Sequence, residues 1–105
     1  MSWRELKKQV SVSSNPYKVG LFGGVDDLQL NIKNSSAQTL DKVNVQVIFL
    51  KPNGQTVRTE AYCVYDVSPK STKILVVPPT RRGVKVQYKI TGVESKGEKI
   101  VTGDI

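Results

Sequence analysis

The feature that most constrains this chain is a hydropathy period of two. Leu28, Leu30 and Ile32 alternate with Gln29, Asn31 and Lys33. Val43, Val45, Val47 and Phe49 alternate with Lys42, Asn44 and Gln46, and Val84, Val86, Tyr88 and Ile90 alternate with Lys85, Gln87, Lys89 and Thr91. Each set places its apolar side chains on one face of a pleated strand and its polar ones on the other. The β-branched and aromatic content of these stretches agrees. No stretch carries a helical period. Only the first dozen residues admit a short helix.

Turn chemistry divides the chain into seven strands. Asn15-Pro16 and the glycines at 20, 23 and 24 separate a strand near 8–13 from one near 26–34. A polar loop from Asn34-Ser35-Ser36 to Asp41 leads to strand 42–51. Pro52-Asn53-Gly54 then forms a hairpin turn, because Asn-Gly supplies the positive φ that tight turns require. Strand 55–65, the turn Ser68-Pro69-Lys70-Ser71 and strand 72–77 follow. Pro78-Pro79 stops the ladder, since proline has no N–H to donate. Strand 84–93 turns back at Ser95-Lys96-Gly97 into a short strand, 98–102. With 105 residues there is length for one domain, residues 1–105 with a core spanning 8–102. Evenly spaced strands and turns predict an all-β, immunoglobulin-like antiparallel β-sandwich, packed on one face of each sheet and solvated on the other.

Strand 55–65 is ambiguous. Val57, Ala61, Cys63 and Tyr65 share one face; Arg58, Glu60, Tyr62 and Val64 share the other. Because a thiol outside a disulfide is among the most buried side chains, the first set is expected inward and Tyr62 outward. Charged residues there suit a sheet edge.

Composition removes several chemistries. There is no histidine and a single cysteine, Cys63. That excludes imidazole bases and ligands, Ser-His and Cys-His nucleophile pairs, an internal disulfide and a four-cysteine zinc site. No cofactor is expected. Apolar runs such as Val47–Leu50 and Ile74–Val77 fall far short of the roughly 20 residues a spanning helix needs. Met1–Lys8 has no apolar h-region. A whole gene product of this kind is expected in the cytoplasm, and a domain cut from an exported chain outside it. A monomer is expected.

The run Leu28-x-Leu30-x-Ile32-x-Asn34-x-Ser36, then Leu40-Asp41-x-Val43-x-Val45-x-Val47-x-Phe49, Pro52-x-Gly54, Val67-x-Pro69-x-Ser71 and Val84-x-Val86-x-Tyr88-x-Ile90 resembles the FxLYD-type immunoglobulin-like domains. These are small bacterial β-sandwich modules usually attached to envelope proteins. The match covers about residues 28–93 and departs from the family at Lys51 and at Lys70, where the family often carries Gly. The resemblance implies a fold and an extracytoplasmic setting, and brings no catalytic residues.

Sixteen Lys and Arg against nine Asp and Glu give a net charge of +7. Such a balance favours anionic partners: nucleic acid, phospholipid headgroups, acidic glycans or acidic proteins. The candidate anion-binding set is Arg81 and Arg82 in a proline-stiffened loop, Lys85 and Lys89 on the outer face of the next strand, and Lys99 on the last strand beside them. Arg offers forked contacts and Lys point charges. The plainer alternative is a solvated face that confers solubility. For single-stranded nucleic acid, exposed aromatics are also needed, and only Tyr62 and Trp3 offer themselves.

Other features read as ordinary structure. Asp26-Asp27 beside Gly23-Gly24 suits a turn better than a calcium site, because neighbours on a strand point to opposite faces. Asn34-Ser35-Ser36 fits the N-glycosylation acceptor pattern, but reads first as an Asn capping a turn. Pro78-Pro79-Thr80-Arg81 is a strand terminator more than a polyproline ligand. No carboxylate pair marks a hydrolase site. The expected function is non-catalytic: an accessory or interaction module presenting a sheet face or edge to a protein partner or neighbouring domain, and the FxLYD resemblance implies that it belongs to a larger bacterial envelope protein. The alternative is an anion-binding module using the basic face.

Overall fold

In the computed structural model, residues 8–95 are described in full and residues 98–101 by their backbone. The possible short helix in the first dozen residues, Trp3 and the turn residues Lys96 and Gly97 lie wholly or largely outside the described residues. Among the described residues, nine strands run in the order β1 (Val10–Ser14), β2 (Lys18–Val19), β3 (Val25–Asp26), β4 (Gln29–Asn34), β5 (Leu40–Leu50), β6 (Thr56–Val67), β7 (Ser71–Val76), β8 (Lys85–Ser95) and β9 (Glu98–Val101). Seven of these are the strands read from the alternation and turns. The two-residue β2 and β3 are additional.

All pairings are antiparallel. One sheet has the order β1-β4-β7, the other β6-β5-β8-β9, and β2-β3 is a small ribbon. In the constant-type immunoglobulin arrangement the fourth strand joins the sheet of the first, second and fifth. Here the fourth long strand, β6, stays beside β5, because the Pro52-Asn53-Gly54 turn holds the two as one continuous hairpin. Gly54 takes φ 89 and donates its N–H to the Lys51 carbonyl at 2.9 Å, while Lys51 donates to Gln55 at 2.8 Å.

The core forms where the inner faces meet. Leu28, Leu30 and Ile32 from one layer, and Val43, Val45, Val47, Phe49 and Val93 from the other, are essentially without solvent exposure. Ile90 and Val93 both face inward although their numbers differ by three. A register shift opposite Asn44 and Val45 absorbs the extra residue, so parity changes along β8. The expected strand 26–34 is interrupted: Asp27 takes φ 56 between β3 and β4. Asn15 spans the break, donating from Nδ2 to the Asp27 carbonyl at 2.7 Å and accepting the Gln29 N–H at 2.8 Å.

The expected orientation of the 55–65 strand is inverted. Val64 is buried and Tyr62 packs against the core, whereas Ala61, Cys63 and Tyr65 face solvent. The β5 register explains this. Val64 stands opposite Val43, Tyr62 opposite Val45 and Glu60 opposite Val47, and directly opposed residues share a face. β6 is indeed the edge of its sheet. Burial on its inner face falls from Val64 through Tyr62 and Glu60 to exposed Arg58. There the face ends in polar contacts: Arg58 Nε meets Glu60 Oε1 at 2.6 Å and the Tyr62 hydroxyl donates to Glu60 Oε2. Inward-pointing charges of this kind protect an edge from further pairing.

Asn34 caps its turn, and does more. Fully buried, its amide Nδ2 donates to the carbonyls of Gln38 (2.7 Å), Val67 (3.1 Å) and Ser68 (3.2 Å). Its Oδ1 accepts from the N–H and Oγ of Ser36 at 2.9 and 2.6 Å. The amide nitrogen that a glycan would need is thus engaged inside the fold. Lys70, where the FxLYD pattern often has Gly, takes φ 56 and donates from Nζ to the Ser35 carbonyl at 2.6 Å.

Candidate functional site

Three connections meet at one pole of the sandwich: the β2–β3 hairpin, the β5–β6 turn and the long β7–β8 loop. The hairpin sequence is Gly20-Leu21-Phe22-Gly23-Gly24. Gly23 donates to the Gly20 carbonyl and Gly20 to the Gly24 carbonyl, both at 3.0 Å. Gly23 and Gly24 each take φ 94, in the left-handed region that glycine enters without penalty. This tight closure leaves Leu21 and Phe22 at the tip with nothing above them. They are 92% and 97% exposed.

The β7–β8 loop is stitched to this hairpin. Gly24 donates to the Gly83 carbonyl at 2.8 Å, and Thr80 to the Val25 carbonyl at 2.9 Å. Thr80 Oγ1 accepts the Val25 N–H at 3.2 Å and donates to the Arg82 carbonyl at 2.9 Å. Val84 then donates to Leu50 at 2.8 Å, joining the loop to the β5–β6 end. Arg81 and Arg82 are therefore carried on a backbone held from both sides, with their side chains exposed.

These arginines line two shallow depressions. One, of about 380 Å³, lies between Phe22, Lys51, Pro52, Val57, Arg81 and Arg82. The other, of about 410 Å³, is bounded by Val57, Arg58, Pro79 and the same two arginines. Apolar Val57 and the cationic Arg81 and Arg82 line both. Forked guanidinium donors of this kind suit phosphate, sulfate or carboxylate groups.

The expected five-residue ladder is not brought together. Arg81 and Arg82 belong to the pole, and so does exposed Lys85, paired with Leu50 next to Lys51. Lys89 is four residues further along β8, about 13 Å at a strand rise of roughly 3.3 Å. It is half-buried, opposite Gln46, in a separate depression with Ile48, Val86, Gln87 and Tyr88. Lys99 does not lie beside Lys85: its backbone is paired with Glu94, at the far end of β8. The reason is that β9 pairs only with Gly92–Ser95.

Sequence reasoning missed Leu21, Phe22 and Lys51. The available signal was a pair of large apolar residues inside a glycine-bracketed turn, where polar residues are the rule. Asp26 and Asp27 do not form a cation site. Asp27 Oδ2 meets Lys18 Nζ at 3.2 Å across the ribbon, and Asp26 Oδ1 accepts the Asp27 N–H at 2.8 Å. Among the described residues no group of three or more Cys, Asp or Glu is placed to hold a metal ion, and no helix is long and apolar enough to cross a membrane. In comparisons with known proteins, no family model, curated protein or solved structure matches the chain significantly.

Proposed function

We propose that this chain is a non-catalytic binding module that engages an anionic partner through the loop pole. One observation carries the reading: the Leu21–Phe22 tip stands in solvent on a hairpin that main-chain hydrogen bonds lock to the Arg81–Arg82 loop. Adjacent large apolar side chains in water are unfavourable unless a partner covers them, and the neighbouring guanidiniums select that partner by charge. The +7 charge adds long-range attraction to the same class. Within this proposal the chain is an immunoglobulin-like accessory domain of a bacterial envelope protein. Support comes from the antiparallel sandwich and from the FxLYD-like pattern over residues 28–93.

The test is binding of the purified chain to heparin, a mixed oligonucleotide and anionic vesicles at about 50 and 300 mM salt, where screening differs strongly. Binding that weakens steeply with salt and is lost in Arg81→Ser/Arg82→Ser, at unchanged thermal stability, supports the pole. Binding indifferent to that double substitution moves the working surface elsewhere. A second reading has its own observation. The edge strand β7 exposes Ile74 and Val76, at 61% and 66%, beside an outer edge that could accept a partner strand.

A further inference from the structure

The geometry points to a lipid bilayer with anionic headgroups as the partner of the pole. In this arrangement Leu21 and Phe22 enter the boundary between headgroups and acyl chains, and Arg81, Arg82 and Lys51 lie at the level of the phosphates. The inference rests on the reading of the pole as the binding surface and names what that surface meets.

Three properties favour a bilayer over a folded protein or a nucleic acid. The first is shape. Leu21 and Phe22 are almost wholly exposed at the outermost point of a hairpin, so they need a medium that closes around a protruding tip. A fluid interface does this without a preformed pocket. The second is the arrangement of polarity. The apolar pair is at the hairpin tip, and the cations Lys51, Arg81 and Arg82 line the depression beside Phe22. Long basic side chains then keep their charged heads in the polar layer while their stems follow the apolar surface, and each basic residue held there gains from the negative surface potential. Two nearby carboxylates are ion-paired, Asp27 with Lys18 and Glu60 with Arg58, and Asp26 accepts the Asp27 N–H. The third is rigidity. The tip is closed by its own turn and pinned by Gly24 to Gly83, so little conformational freedom remains to be lost on docking. Single-stranded nucleic acid fits less well. It calls for successive aromatic platforms along a basic groove, whereas the tip offers one ring, and Lys89 and Lys99 lie away from it.

The experiment is co-sedimentation with vesicles of phosphatidylcholine alone and of phosphatidylcholine with one-third phosphatidylglycerol, alongside heparin and an oligonucleotide. The proteins are the native chain, Leu21→Ser/Phe22→Ser and Arg81→Ser/Arg82→Ser. All changes are at exposed positions, and thermal unfolding verifies each fold. An environment-sensitive dye is attached at Leu21→Cys, or at Ile74→Cys as a control, in a Cys63→Ser background. The expected result is binding to the anionic vesicles that falls at least about tenfold in both double variants, a difference of about 1.4 kcal/mol. The dye at position 21 should shift to the blue on those vesicles and the dye at position 74 should not. Binding of vesicles, heparin or oligonucleotide that requires the arginines but ignores Leu21→Ser/Phe22→Ser overturns the bilayer inference and leaves the anionic pole standing. Equal binding to neutral and anionic vesicles overturns the requirement for anionic lipid. No binding to any probe overturns both readings.

Discussion

Gly24 donates its backbone N–H to the carbonyl of Gly83 at 2.8 Å. Together with the Thr80–Val25 bonds, it joins the hairpin bearing Leu21 and Phe22 to the loop bearing Arg81 and Arg82, two segments about sixty positions apart in the chain. Both partners are glycines at φ 94. Each also sits against neighbours that leave little room for a side chain. A Cβ on Gly24 would lie 2.6 Å from the Thr80 carbonyl oxygen, and one on Gly83 would lie 3.2 Å from the Phe49 Cβ. The apolar and cationic halves of the pole are thus one mechanical unit, made possible by two residues without side chains.

Gly24→Ala should therefore act on stability and binding together. The clash is with backbone, which moves only with the loop, and positive φ adds strain of about 1–3 kcal/mol. For a domain of this size that corresponds to a fall in Tm of several degrees. Thermal unfolding and vesicle binding should both show the defect. A variant with native Tm would mean that the two loops are not held together by this contact.

Asn34→Ala should be among the most damaging polar substitutions. The side chain leaves behind the carbonyls of Gln38, Val67 and Ser68 and the Ser36 hydroxyl, in a site with no exposure. Losing these partners at once should cost about 2–4 kcal/mol. Asn34→Asp should cost at least as much, since a carboxylate would face three carbonyl oxygens. Urea unfolding measures both. A loss below about 0.5 kcal/mol, as at ordinary surface positions, would contradict the role of Asn34 as the link between the β4–β5 and β6–β7 connections.

What sequence reading reached here was set by how strongly each segment constrains itself. β4, β5 and the first half of β8 carry clean alternation, with apolar residues on one parity and polar on the other, so their faces are legible without partners. β6 carries a mixed set on both parities, Val57, Ala61, Cys63 and Tyr65 against Glu60, Tyr62 and Val64. Its face depends on the register with β5, a long-range property absent from local pattern. The pole is similar. The glycines at 20, 23 and 24 are legible as breaks, and Arg81-Arg82 as a basic pair. Their meeting depends on bonds between Gly24 and Gly83 and between Thr80 and Val25, which no local signal announces. Lys99 fails for the same reason, because its neighbours follow from where β9 attaches to β8.

Cys63 gives a direct check of the β6 register. Facing solvent on the outer side of the sheet, with its Sγ 3.2 Å from Asn44 Oδ1, it should react fully with a thiol reagent in the native protein. Cys63→Ser should change stability by no more than about 0.5 kcal/mol. Were reaction to require denaturant, the strand would be turned the other way and Tyr62 and Val64 would be outside.

Tyr62 tests the opposite face of the same strand. Its phenol is pushed up from 10.0 to about 12, first by partial burial against the core, then by its hydrogen bond to Glu60 and by the charge of that carboxylate, with Arg58 acting in the lowering direction. The folded state therefore favours the neutral phenol. The associated stability is fully present below pH 10 and is lost as pH rises through about 12. An ultraviolet titration by rapid pH jump, recorded before alkaline unfolding, should resolve one late-ionising tyrosine that vanishes in Tyr62→Phe. Glu60→Gln removes the neighbouring negative charge, so the late phenol should move down towards its ordinary value. A late phenol that stays in place in Glu60→Gln would remove the Glu60 charge from the account of the shift and leave burial and a neutral hydrogen bond to carry it.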